Sequence, residues 1–231
     1  MHHGTLSLPA RILLLAWDTD RGKFTGGPDL HLAVRTGALA ELAQRRVLGE
    51  AGGVVVTPAT GARTGDVVLD ALLDLVERSK PRKWRGWMTY RSRTTLAAVR
   101  DQLAAEGHLR EERRRVLALF PSRRWVLERT GHAEALRTDA LAVLRAQRPV
   151  TEVSPGDAAL VVCAATGKVR TFVGAKDRRR YKDRLAELTD RAGGDDPELR
   201  TLMRNLRKAH ASAVTSAEMA RSSSGGDGGG D

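Results

Sequence analysis

Between Arg78 and Arg129 the chain carries 15 Lys/Arg against 5 Asp/Glu, so this stretch holds a net +10 of the +11 on all 231 residues. Most of these cations are arginines. A planar guanidinium presents a fork of N–H donors that matches the oxygens of a phosphate, where lysine offers only a point charge. A patch this dense attracts phosphate groups, on lipid or on nucleic acid, within a Debye length of roughly 8–10 Å. Trp84, Trp87 and Tyr90 are interleaved with the charges in KPRKWRGWMTYRSR, residues 80–93. Such rings suit a half-wet interface, and at i, i+3 spacing the two tryptophans suit a core equally well. Further along, Leu117, Leu119 and Phe120 lie between Arg113–Arg115 and Arg123–Arg124. An apolar tip with basic flanks can press into a charged bilayer, where each basic group adds about 1 kcal/mol, or its apolar side can pack on the protein's own core.

Other chemistries find no support. There is no G-x-S-x-G, no H-E-x-x-H and no Walker-type loop, and Gly49 to Gly53 lacks the Lys-Ser/Thr ending of a phosphate-binding loop. No catalytic residue is named, the chain is expected not to be an enzyme, and no cofactor or metal is expected. Its six histidines are scattered, and no Cys/His set has zinc spacing. Cys163, the one cysteine, lies in the apolar run AALVVCAA and reads as a buried structural thiol in a cytosolic protein. No segment approaches the roughly 18–20 apolar residues that span a bilayer, so any membrane contact is expected to be peripheral.

The elements that must position these residues are mostly helices. Aromatics are only 4% of the chain, which leaves a core of Leu, Val and Ala and favours packed helices over a β-sandwich. Ser7 and Pro9 open a first helix, followed by a loop over 18–28. A second helix covers 30–48, with Arg35 off its apolar stripe or at the edge. Val54–Val56 makes a short strand. Asp66 caps a third helix, in which Val67, Leu69, Leu72, Leu73 and Val76 supply the apolar positions. Thr94 or Thr95 starts a helix that ends at Glu106, with Gly107 as its left-handed stop. Residues 116–120 and 125–127 read as a hairpin turning through Pro-Ser-Arg-Arg. Helices over 134–145, 157–165, 176–190 and 197–220 complete the chain, and 221–231 reads as a disordered Ser/Gly/Asp tail. The expectation is a mainly α fold: a single helical-bundle domain over 1–220, with amphipathic helices and a protruding β-hairpin.

The order LSLPARILLLAWDTDRGK, AVRTGALAELAQRRVL, TGDVVLDALLDLV and LAAEGHLREERRRVLALFPSRRW resembles the Golgi phosphoprotein 3-like family, in its actinobacterial branch. The resemblance runs from about Leu6 to Arg129 and continues more loosely to about Val214. It implies a mostly helical domain whose basic pocket binds the head group of phosphatidylinositol 4-phosphate. It also implies a non-catalytic peripheral adaptor whose hairpin, through Leu117, Leu119, Phe120, Arg123 and Arg124, serves membrane contact or self-association. The pocket arginine of the second helix falls on Arg35, and one ahead of the hairpin helix falls on Arg93. That arginine's companion falls on Leu96, and the pocket tryptophan falls near Gly26. Arg91 stands close enough to Arg93 to replace the missing charge, and Trp84 or Trp87 could supply the ring.

The expected partner is therefore an anionic, phosphoinositide-like membrane lipid. Protein clients and self-association are further partners, and the location is cytoplasmic, peripheral on the inner face of a membrane. Two other readings stay open. Helix, helix and hairpin is also the order of a winged helix, and a basic chain fits a nucleic-acid footprint. A protein-binding helical scaffold is the other.

Overall fold

The computed structural model describes residues 6–25, 27–116 and 120–223, with the side chains of 113–116 and 120–123 set aside. In chain order the elements are α1 (Leu8–Leu15), β1 (Trp17–Asp18), β2 (Lys23–Phe24), α2 (Leu30–Gln44), β3 (Gly49–Ala51), β4 (Val54–Val56), α3 (Val67–Glu77), α4 (Trp84–Thr89) and α5 (Ser92–Ala105). Then come β5 (Leu109–Val116), β6 (Phe120–Leu127), α6 (Thr130–Leu144), α7 (Pro155–Thr166), α8 (Ala175–Arg180), α9 (Lys182–Ala192) and α10 (Pro197–Ser223). Each pair of strands forms its own antiparallel two-stranded sheet. The architecture is mainly α with hairpins, as the composition predicts.

Two helices form the centre, and neither is amphipathic. In α2, twelve of fifteen residues are buried, including Arg35 and Thr36. In α7, Ala158 to Ala165 are buried without interruption. A helix apolar all round belongs inside a bundle, surrounded by helices that offer it one face each. The short α1 packs against both, and α5, α9 and α10 close around them. Close approach explains two glycines. A Cβ on Gly37 would stand 2.4 Å from Ile12 Cδ1 of α1, and one on Gly167 would stand 2.5 Å from Ala33 Cβ of α2. Cys163 is buried in this centre, and burial pushes its thiol up to about 12, so it stays protonated.

Local signals mostly hold. Asp66 accepts from Val68 N and Leu69 N, both at 2.9 Å, and starts α3. Gly107 has φ +71° and ends the α5 turn. Leu69, Leu72, Leu73 and Val76 are buried, but Val67 is 66% exposed, because at roughly 100° per residue it falls on the face of α3 opposite those four.

Several boundaries move. Ser7 starts α1 without capping it: its hydroxyl is buried and unpartnered, and Glu41 of α2 accepts from Leu8 N at 2.6 Å instead. The small hairpin β1–β2 starts at Trp17 and runs into the predicted loop 18–28, closed by an edge-on contact of Trp17 with Phe24. Residues 80–93 contain the short α4, and α5 starts at Ser92, ahead of Thr94. The charged segment 176–190 is two helices, which meet at Tyr181. The main hairpin is longer than its apolar runs: Leu109 pairs with Leu127, and Arg115 with Pro121. Pro121 to Arg124 therefore lies in β6, and residues 117–119 between the two strands are outside the described residues. Proline is tolerated there because each strand of a two-stranded ribbon is an edge. Finally α10 runs through Ser223, so 221–223, read as tail, are helical. The rest of that tail, 224–231, is outside the described residues.

Candidate cation site at the junction of two short helices

The basic segment is built from its rings outward. Trp84, Trp87 and Met88 of α4 are buried, so the tryptophans belong to the core and offer no interfacial ring. Trp84 Nε1 donates to Glu50 Oε2 at 2.6 Å, which ties α4 to β3. Tyr90 ends α4 and meets Trp87 edge-on, with ring centroids 5.9 Å apart. The Arg82 guanidinium lies over the Tyr90 ring at 4.0 Å, and that of Arg91 lies at 5.6 Å from the same ring. Such contacts hold a cation at a surface without a carboxylate.

The chain turns sharply from α4 into α5 at Arg91, whose φ of +51° is left-handed. Arg35 holds this turn from below. Its Nη2 donates to Tyr90 O at 3.1 Å and to Arg91 O at 2.8 Å. Thr94 Oγ1 donates to Arg91 O as well, at 2.7 Å. Arg35 is wholly buried, and among the described residues no carboxylate pairs with it. Its Nε and Nη1 have no hydrogen-bond partner among the described residues, and burial draws its pKa down to about 10, which still leaves it charged at neutral pH. The position read as lying at the edge of the apolar stripe is thus inside, because α2 has no polar face to put it on.

Arg91 and Arg93 are both exposed and neither takes part in an ion pair among the described residues. Arg35 and Arg91 meet directly. Arg93 stands two residues on, where its charge reaches His31, one helical turn before Arg35 on α2. The His31 pKa is lowered, first by burial and then by Arg93. Asp29 opposes that shift and Arg221 adds to it. Arg221 grips Asp29 with both terminal nitrogens, at 2.7 and 2.6 Å. The three arginines named from the sequence therefore gather at one junction, one below it and two on its surface. What the sequence did not suggest is the ring of Tyr90 as a platform, or Arg221 arriving from 192 residues away.

The hairpin residues are distributed differently. Leu117 and Leu119 fall outside the described residues, as does Gly26. Phe120 opens β6 and Arg123 pairs with Arg113 in register, with their side chains set aside. Arg124 Nη2 donates to Gly22 O at 2.9 Å, so it braces the β1–β2 turn. Leu109 and Leu127 root the ribbon in the core.

This arrangement can hold anions at the surface through Arg91 and Arg93. Further anion contact with Arg35 requires the junction above it to open. Among the described residues no helix is long and apolar enough to cross a membrane. No curated protein is similar enough to the chain to count as a match. The Golgi phosphoprotein 3 (GPP34) family profile, by contrast, matches residues 8–215, and the chain belongs to that family.

Proposed function

We propose that the protein is a non-enzymatic peripheral membrane adaptor that binds anionic, phosphoinositide-like head groups at the α4–α5 junction, on the cytoplasmic face of a membrane. The family is associated with phosphoinositide and protein interactions and is not known as an enzyme family. One observation carries the reading: Arg91 and Arg93 are exposed and outside any ion pair among the described residues, in a stretch (78–100) with eight Lys/Arg and no Asp/Glu. A surface salt bridge would have to break before such a cation could take a phosphate; among the described residues these two have none to break. Arg35 contributes from beneath, by fixing the main chain that carries Arg91 and by adding a positive charge without a counter-ion.

The test is co-sedimentation with phosphatidylcholine vesicles, with and without phosphatidylinositol 4-phosphate. Binding is expected only to the second kind. The Arg91→Ala, Arg93→Ala double variant is expected to bind about tenfold or more weakly, at about 1 kcal/mol for each basic group near the surface. Equal binding of wild type to both vesicle kinds, or an unaltered double variant, overturns the assignment.

A further inference from the structure

Residues 168–184 hold a second concentration of charge, eight Lys/Arg against two Asp/Glu, that the head-group site does not use. The short helix α8 within it has no buried residue. Three of its cations are engaged: Lys168 with Glu218, Arg184 with Glu187, and Arg178 with the carbonyl of Val173. Arg170, Lys176, Arg179, Arg180 and Lys182 are exposed, and none joins an ion pair among the described residues.

The last turns of α10 connect this segment to the first. Arg85 of α4 donates to Ser216 Oγ at 2.8 Å, Glu218 takes Lys168, and Arg221 takes Asp29 at the start of α2. The two basic segments therefore flank the same end of α10. Beneath it Leu32, Ala213 and Val214 form a small apolar cluster apart from the main core. At roughly 100° per residue, Met219 is turned about 100° from Glu218 and about 160° from Arg221, and shares a face with Ser216. Met219 is 65% exposed, one of only two large apolar side chains so exposed among the described residues.

We propose that Arg170, Lys176, Arg179, Arg180 and Lys182, together with Met219, form a docking face for an anionic lipid bilayer, separate from the α4–α5 site. The proposal rests on the membrane reading but not on Arg91 or Arg93. Charge complementarity gives attraction to any polyanion. Met219 selects the bilayer: a flexible apolar side chain gains by entering the boundary between head groups and acyl chains, and gains nothing against a nucleic-acid backbone.

The experiment uses the full chain with phosphatidylcholine vesicles containing phosphatidylserine, and a Lys176→Glu, Arg179→Glu, Arg180→Glu, Lys182→Glu variant. Wild type is expected to bind, more weakly as salt rises, and the variant to lose more than about tenfold in partition. Both are expected to bind the soluble head group of phosphatidylinositol 4-phosphate alike. Met219→Asn, which removes the apolar tip without adding a charge, is expected to weaken partition several-fold with the same salt slope, and Met219→Leu to leave it unchanged. Equal partition of the charge-reversed variant and wild type overturns the docking face while leaving the head-group site intact. Wild type that binds neither phosphatidylserine nor phosphoinositide vesicles overturns both. Salt-sensitive binding to duplex DNA without vesicle binding overturns both as well, in favour of a nucleic-acid partner.

Discussion

The two basic segments have similar composition and opposite construction. Residues 78–100 are set into the bundle: Trp84, Trp87 and Met88 are buried, Arg82 is stacked on Tyr90, and Arg35 clamps the main chain from below. Residues 174–182 lie on the bundle, with no buried side chain among the six of α8. Charge in the first is therefore coupled to folding, and charge in the second is nearly independent of it. Such a division suits one fixed site and one broad contact, because geometry needs a rigid support and long-range attraction does not.

The largest expected effect tests the first half of that contrast. Arg35→Ala removes two charge-assisted hydrogen bonds and leaves a void beneath the junction, while relieving the burial of a charge without a counter-ion. The net cost is expected to be about 3 kcal/mol, read from the urea midpoint. Arg35→Met keeps most of the volume and is expected to cost about half as much. An unchanged midpoint for the alanine variant would mean that the junction does not depend on its clamp.

Next in size is the response of α10, the helix both segments flank. His210 on its inner face is buried, neither ring nitrogen has a hydrogen-bond partner among the described residues, and burial draws its pKa from 6.5 down to about 3. In the unfolded chain it takes a proton near pH 6.5, and in the fold it does not. The stability that depends on a neutral ring is thus complete above pH 6.5 and declines as pH falls from there toward 3. At pH 5 the loss is roughly 2 kcal/mol, at about 1.4 kcal/mol per pH unit. Denaturant titrations across this range are expected to show that slope, and His210→Leu to flatten it. An equal slope in both proteins would place the acid sensitivity elsewhere.

The outline of this fold was legible because it rests on local signals. Apolar positions marked α3, Asp66 and Gly107 marked ends, and the apolar run around Cys163 marked the interior. Three things were not legible, each for a physical reason. Arg35 looked peripheral, since a charge in a helix is ordinarily drawn to its polar face and α2 has none. The hairpin turn was placed at Pro121–Arg124 because turn residues are found more often at turns than in ribbons with two open edges. Arg221 and Asp29 meet only through the tertiary path of α10, and no spacing along the chain announces that pair. Of the site, the sequence carried the presence and sign of the charge but not which guanidiniums face water.

Two smaller effects sharpen the contrast between the segments. Arg82→Ala removes the cation over Tyr90 and is expected to cost about 1 kcal/mol, in the range for partly exposed stacking. The four charge reversals at Lys176, Arg179, Arg180 and Lys182 touch no buried contact. They are expected to move the urea midpoint by no more than about 0.5 kcal/mol in total. Their sign is informative even at that size. Eight cations and two acids in seventeen residues repel one another, so partial reversal relieves that repulsion, and the shift is expected to be stabilising at low salt and to vanish as salt screens it. A destabilisation of 1 kcal/mol or more, on the order of the Arg82 effect, would show that α8 is held to the bundle by its charges, and the division between a segment set into the fold and one laid on it would not stand.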